Sequence, residues 1–144
     1  TKLGGLCPPG RNALERRRFR MNAVLEKMQD RASAMNIQAM TESIAKQLNP
    51  LRIYLFGSFA DGTYTKDSDF DFYIVVKDGS DLWDVTAQAR KAVRDIKTRP
   101  VDVVAGTKSR FNQYGKSRDS LYVEGEVFRK GVLLYDHETT GEAI

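Results

Sequence analysis

The sequence contains very little cysteine and histidine. Among its 144 residues, Cys7 is the only cysteine and His137 is the only histidine. A single cysteine excludes an internal disulfide, and chains without disulfides are typical of a reducing compartment. We therefore expect a cytoplasmic protein in which Cys7 is an inert thiol. His137 lies in a polar tail and is expected at the surface.

Long hydrophobic runs are also missing. No apolar stretch approaches the roughly 20 residues that a helix needs to cross a bilayer. The start of the chain, TKLGGLCPPG, lacks the apolar core of a secretory signal. The composition is 41% hydrophobic and 29% charged, which is typical of one soluble domain with a single core. We expect no membrane partner.

The net charge of +4 originates in an N-terminal arm, residues 1–20. This arm holds six basic residues and one acidic residue, a balance of +5, so the rest of the chain sums to −1. The basic residues are Lys2, Arg11, Arg16, Arg17, Arg18 and Arg20. A basic cluster is able to bind nucleic acid. A solvated helix face has the same composition, and both interpretations stay open.

Proline and glycine are absent from residues 11–48, where apolar residues recur at helical spacing. The apolar positions are Leu14, Met21, Leu25, Met28, Ala32, Met35, Ile37, Met40, Ile44 and Leu48. A change of phase near Asn36 predicts two helices or a bend, and Asn49-Pro50 ends the second helix. The first helix either packs on the body of the protein or pairs with another copy of the chain to form a homo-oligomer.

The rest of the chain alternates between strands and helices. Three β-rich runs predict strands, at Leu51–Phe56, Asp69–Val76 and Pro100–Ala105. Between the last two, apolar residues at helical spacing predict a helix in which Trp83 packs on the sheet. Two shorter helices and a last strand, VLLYD, follow. This order predicts an α/β (α+β) fold, a small mixed β-sheet flanked by helices, with an N-terminal helical extension.

Two acids stand where the second predicted strand begins. Asp69 and Asp71 are two positions apart and therefore share one face of the strand, while Phe70 and Phe72 face the core. Two like charges on one face repel each other. A divalent metal between them would remove the repulsion, and two carboxylates with substrate phosphates make a typical magnesium site.

A third acid, Asp102, lies in the apolar run PVDVVA. Val101 and Val103 fill one face of this predicted strand, so Asp102 points to the other. A carboxylate in such a strand is costly to bury unless it is paired or bound to metal. If the third strand pairs beside the second, the three acids converge. The alternative is that Asp102 lies at a strand edge and faces water.

The turn Gly57-Ser58 directly follows the first predicted strand. Glycine allows close approach of the backbone, and a strand-to-helix junction points N–H groups outward, which suits an anion. Ser58 is expected to cap the next helical turn, with Asp61 as its capping-box partner. The Gly-Ser pair is uninformative alone, but its combination with the spaced acids is specific.

This combination resembles the signature of the DNA polymerase β-like nucleotidyltransferase superfamily. Ten residues separate Gly57-Ser58 from Asp69-Phe70-Asp71, and Asp102 follows. The small size and the ending SLYVEGEVFRKGVLLYD resemble the minimal nucleotidyltransferase branch. That branch includes antitoxins whose partner is a small helical RNase. The implied domain spans residues 37–136, preceded by a leader and extra helix (1–36) and followed by a tail (137–144).

The resemblance implies a role for each matching residue. Gly57 and Ser58 would hold a nucleoside triphosphate, with ATP as the family default. Asp69 and Asp71 would bind the Mg²⁺ ion that bridges the phosphates. Asp102 would bind a second metal ion and help to activate an acceptor hydroxyl, so that a nucleoside monophosphate is transferred and pyrophosphate is released.

The chain departs from the family pattern at one point. Many relatives carry a basic residue shortly after the Gly-Ser pair, where this chain has Ala60-Asp61-Gly62. Lys66 is the candidate substitute for binding the phosphates, although a solvated loop lysine is an equal reading. Three functions therefore stay open. They are an active adenylyltransferase-like enzyme, which includes the antitoxin of a toxin–antitoxin pair; a weakly active or inactive nucleotide- and partner-binding module; and an antibiotic-modifying nucleotidyltransferase.

Overall fold

A computed structural model describes residues 22–117 and 121–137. Predictions about the basic arm, Cys7 and the start of the apolar stripe, Leu14 and Met21, lie outside the described residues. Within these ranges, no helix has the length and the apolar character that a membrane span requires.

A four-stranded mixed sheet forms the centre of the protein. Its strands are β1 (Arg52–Phe56), β2 (Phe70–Val76), β3 (Val101–Thr107) and β4 (Val132–Asp136), in the spatial order β3-β2-β1-β4. Strand β1 is antiparallel to both β2 and β4, whereas β2 and β3 run parallel. A parallel pair needs a crossover connection, which a helix between β2 and β3 provides. The predicted fold class is confirmed.

Six helices surround this sheet in the described part of the chain. They are α1 (Ala23–Lys27), α2 (Arg31–Leu48), α3 (Ser58–Asp61), α4 (Leu82–Val93), α5 (Lys108–Gly115) and α6 (Val123–Lys130). Helices α2 and α4 share the larger core with one face of the sheet, to which β2 contributes Phe70, Phe72 and Ile74. Helices α5 and α6 pack on the opposite face around Tyr73, Val75, Phe111 and Val127.

The helix boundary lies earlier than the sequence predicts. No break occurs near Asn36, because α2 is continuous and begins at Asp30, whose carboxylate accepts a hydrogen bond from the Ser33 N–H at 3.0 Å. Asn36 is buried in this helix, donates to the Ile96 carbonyl at 2.9 Å and accepts from the Thr98 N–H at 2.9 Å. A satisfied polar residue on the core side therefore interrupts the apolar pattern without interrupting the helix.

The predicted packing of Trp83 on the sheet is wrong, because Trp83 is 87% exposed. Met35, which belongs to the stripe predicted either to pack on the body or to pair with another copy, is 58% exposed. In α4 the residues turned toward the core include Val85, Ala89 and Val93, which recur at helical spacing, and Trp83 lies off that line. A large apolar side chain next to the buried stripe is thus left in solvent.

A buried carboxylate ties α6 to the sheet. The Glu124 residue is only 1% exposed, and its Oε2 accepts hydrogen bonds from the Tyr73 hydroxyl at 2.6 Å and from Arg110 Nε at 3.0 Å. Gly106 makes room for the Tyr73 hydroxyl, because a Cβ atom at that position would overlap it. Glu124 Oε1 is buried and has no hydrogen-bond partner among the described residues.

We expect Tyr73→Phe to lower the free energy of unfolding by about 1–3 kcal/mol, because it removes a donor from a buried carboxylate that already has one unpaired oxygen. Chemical denaturation measures this change. Tyr114→Phe is the matched control, since no hydrogen bond to its hydroxyl is seen in residues 22–117 and 121–137. An equal loss in both variants would contradict the assignment to Glu124.

Candidate active site

The sheet brings two of the predicted acids side by side. Strands β2 and β3 pair in parallel, and Asp71 and Asp102 are directly opposite each other in the register. Asp69 lies one residue before β2 begins, two positions from Asp71. The predicted pairing of the second and third strands is therefore confirmed, and it places the acids at the edge of the sheet where both strands start.

Burial and neighbouring acids perturb Asp71. Burial, together with the charges of Asp102 and Asp69, raises the pKa of its carboxyl from 3.8 to about 6, and burial is the largest cause. A hydrogen bond between the Asp71 and Asp102 carboxyl groups raises the pKa of Asp71 further, since it favours the protonated form. All of these contributions raise the pKa of Asp71, as expected for neighbouring carboxylates without a positive charge between them.

Asp102 is exposed on β3, an outer strand of the sheet. Its predicted orientation is correct, because Val103 is buried in the larger core while Val104 packs against the smaller cluster on the other face. The alternative position, at a strand edge facing water, also applies, because β3 is an outer strand and Asp102 is exposed.

Gly57 lies against Asp71. The backbone of Gly57 has φ +73°, a conformation that side chains rarely adopt, and a Cβ atom there would overlap Asp71 Oδ2. Phe56, the preceding residue, is the register partner of Asp71 across β1 and β2. The Gly-Ser turn and the acidic pair are thus one constellation, as the spacing predicts.

The predicted Ser58 cap is wrong. Ser58 is the first residue of α3, and Gly57 occupies the cap position without a side-chain hydrogen bond. Asp61 accepts hydrogen bonds from the N–H of Thr63 at 3.0 Å and from its hydroxyl at 2.6 Å, so it is not a capping-box partner. The Ser58 hydroxyl is thus not used as a cap. Lys66 is exposed in the loop between α3 and β2.

Sequence reasoning missed Glu126. This residue lies on α6 (Val123–Lys130), and its charge also raises the pKa of Asp71, so α6 brings a further acid toward the acidic pair. No local signal marks it, because a glutamate in an amphipathic helix usually faces solvent. The position of Glu126 relative to Asp71 depends on how α6 packs on the sheet.

The donor set suits a hard cation only in part. Within residues 22–117 and 121–137, no group of three or more His, Cys, Asp and Glu side chains is arranged to hold a metal ion. Asp71 and Asp102 nevertheless lie opposite each other in the register, with the Asp71 carboxylate against the backbone of the Gly57 turn. Magnesium is usually held by one or two carboxylates together with substrate phosphates. The residues therefore fit an ion that arrives with its nucleotide.

A family model, the nucleotidyltransferase domain, matches residues 39–132. This match spans more than half of the chain, which therefore belongs to the nucleotidyltransferase domain family and is a nucleotidyltransferase. The family resemblance of the sequence is thereby confirmed. No curated protein matches the chain significantly.

Solved structures are similar to this chain at low sequence identity. A toxin-antitoxin complex with AMP-PNP is 21% identical, with 73% of this chain and 77% of that chain covered and a TM-score of 0.47. A Sulfolobus solfataricus protein is 19% identical, with coverages of 78% and 93% and a TM-score of 0.47. A mutant of the toxin-antitoxin MntA-HpeT is 21% identical, with coverages of 72% and 76% and a TM-score of 0.44.

The raised pKa of Asp71 predicts a pH-dependent gain in stability for Asp71→Asn. The native state keeps this proton up to about pH 6, whereas an ordinary carboxyl releases it near 3.8. The native state thus binds more protons between these values, and the stability contributed by Asp71 falls as pH rises through this window. The variant should gain about 1 kcal/mol near pH 7, after allowance for solvent screening, and nothing below the window.

Urea unfolding at about pH 3.5 and about pH 7 measures the difference. Asp67→Asn, in the exposed loop before β2, is the matched control and should show no such dependence. The same stability change for Asp71→Asn at both pH values would contradict the raised pKa.

Gly57→Ala should destabilise the protein more than Gly79→Ala. Both glycines have positive φ, +73° and +88°, so both substitutions strain the backbone by about 1–3 kcal/mol. Only at Gly57 does the new Cβ also overlap the Asp71 carboxylate, whereas Gly79 faces open space. Thermal or urea unfolding compares the two variants, and equal losses would show that Asp71 does not lie against Gly57.

Proposed function

We propose that the protein is a magnesium-dependent enzyme that transfers AMP from ATP to an acceptor hydroxyl, with Asp69, Asp71 and Asp102 as the catalytic and metal-binding residues. The observation that carries the proposal is the register pairing of Asp71 with Asp102 directly beside the Gly57 turn. The family match gives the reaction class, nucleotidyl transfer. The metal, the nucleotide and the residue roles belong to the proposal.

Different residues of the chain have separate proposed roles in binding the triphosphate. The absence of a side chain at Gly57 lets the turn lie against the Asp71 carboxylate, and the Ser58 hydroxyl and the backbone N–H groups of this turn are the proposed donors for phosphate oxygens. Lys66, exposed in the loop between α3 and β2, is the proposed basic partner of the triphosphate. A bound Mg²⁺ would neutralise the charge that develops on the phosphates during transfer.

The raised pKa of Asp71 explains why a cation belongs here. Near pH 7 the carboxyl with its pKa of about 6 is mostly ionised, but at a cost from burial and from Asp102. A cation between the two carboxylates would remove that cost and lower the pKa of Asp71. Asp102 is exposed, so an acceptor hydroxyl is able to reach it from solvent.

A second candidate is an antitoxin that binds a helical toxin, in the cytoplasm, with the toxin as acceptor or simply as partner. Exposed apolar residues around α6 and β4 favour it: Leu121, Tyr122, Phe128 and Leu133 are 100%, 51%, 49% and 38% exposed. Large apolar residues exposed on neighbouring elements are candidates for an interaction site. This candidate includes the inactive binding module as its limiting case, whereas transfer to an antibiotic would leave this surface without a role.

Asp69→Asn should abolish the transfer of label from ATP, because the proposed nucleotide–metal complex loses one of its carboxylates. Asp67→Asn is the matched control, an exposed aspartate two positions earlier that should keep full activity. Transfer is followed as radiolabel incorporated into a cell extract and as pyrophosphate released. Label transfer that persists in Asp69→Asn would show that this carboxylate is not part of the active site.

Amide chemical shifts in the presence of Mg²⁺ and ATP separate enzyme from binding module. Shifts at Gly57, Ser58 and the strands around Asp71 and Asp102, in the wild type but not in Asp69→Asn, are expected for both readings. Pyrophosphate release with these shifts indicates the enzyme. Shifts without any release, with or without a partner protein, would reject the transfer reaction.

A further inference from the structure

We propose that Arg99 is a positioning residue, which fixes the loop that carries Asp69 to the strand that carries Asp102. This inference rests on the proposed function of these acids. Arg99 lies two residues before β3, and its side chain is only 19% exposed. It is therefore an arginine that the fold has largely withdrawn from solvent.

The guanidinium group of Arg99 contacts three backbone carbonyl groups of the loop between α3 and β2. Arg99 Nη1 lies within hydrogen-bond distance of three carbonyl oxygens, those of Thr65 at 3.2 Å, Lys66 at 2.8 Å and Ser68 at 3.1 Å. Oxygens that converge on one amino group define the curvature of the loop. The loop adds its own bond from the Thr65 N–H to the Ser68 hydroxyl at 2.8 Å.

Other contacts hold the guanidinium in place. Arg99 Nη2 lies 3.6 Å from Asp30 Oδ2, the carboxylate that caps α2. The group also lies 5.1 Å from the ring centre of Phe59 and 5.9 Å from that of Phe70, within the range of cation–π attraction. The planar guanidinium thus meets an acid, aromatic rings and the loop at once, which a lysine is unable to reproduce.

Three partners of Arg99 are sequence neighbours of proposed active-site residues. Phe59 follows Ser58, and Ser68 and Phe70 flank Asp69. Asp102 lies three residues after Arg99, and the Phe70 N–H donates to the Pro100 carbonyl at 3.0 Å, which joins the starts of β2 and β3. Arg99 therefore links the turn, the loop and the edge strand from behind, without being a catalytic residue itself.

A purely structural arginine would show the same contacts, so the readouts must separate stability from positioning. We compare Arg99→Met, Arg99→Lys and the control Arg90→Met, which changes an exposed arginine on α4. Hydrogen exchange of backbone amides, which needs no nucleotide, reports the order of the loop. Steady-state kinetics of label transfer, well below the unfolding temperature, reports the alignment of the acids.

Arg99→Met should accelerate amide exchange about 10-fold or more in residues 63–69, and leave exchange in α4 and α5 unchanged. We expect kcat to fall by about 100-fold with a smaller change in KM, because misalignment is felt mainly in the transition state. Arg99→Lys should lie between Arg99→Met and the wild type, and Arg90→Met should match the wild type in both measurements.

Unchanged exchange in the loop would overturn the proposal, and so would faster exchange with an unchanged kcat. Faster exchange throughout the protein would also overturn it, since that result describes a general loss of stability. If the wild type neither transfers label nor binds Mg²⁺ and ATP, the proposed function fails. Accelerated exchange confined to residues 63–69 would then still support Arg99 as the anchor of this loop.

Discussion

The arrangement of this protein depends on one electrostatic conflict, the pairing of Asp71 and Asp102 in register across β2 and β3. Two carboxylates in adjacent strands, one of them half-buried, lower the stability of the protein. In a protein without a use for them, substitution would replace them. Neighbouring residues are arranged around these two charges. Gly57 makes room for the Asp71 carboxylate, and α6 brings Glu126 toward the same charge. A nucleotidyltransferase has a reason to keep such a pair, because the cation proposed to accompany its substrate would remove the repulsion.

The sheet separates this conflict from the elements that stabilise the fold. Phe70 and Phe72 face the larger core with α2 and α4, while Asp71 and Tyr73 face the side covered by α5 and α6. Because side chains alternate along β2, the residues of the larger core lie on one face of the sheet and the proposed site residues lie on the other. The smaller face still needs a buried polar connection, and the Glu124 carboxylate provides it by bonding to Tyr73 and Arg110.

The strands and their acids could be predicted from the sequence because their signals are local. Alternation in DFDFYIVV fixed which side chains share a face, and the valines around Asp102 fixed its direction. The register of Asp71 with Asp102 and the place of Glu126 could not be predicted, since both depend on how distant elements pack. The same holds for Asn36, whose partners Ile96 and Thr98 are far along the chain. Trp83 shows the converse, because apolar character alone does not place a side chain on the buried side of a helix.

Because β3 is an outer strand of the sheet, the charge of Asp102 has a second effect. An edge strand presents unpaired backbone groups that are able to recruit a strand from another molecule, and proteins often prevent this with a charge on the edge. β3 is otherwise rich in valine, with Val101, Val103 and Val104, and Asp102 is an exposed charge on it. The carboxylate proposed for chemistry thus also protects the chain from strand-to-strand aggregation. A variant that neutralises it would lose colloidal stability together with any activity, so its solubility has to be known before its inactivity is interpreted.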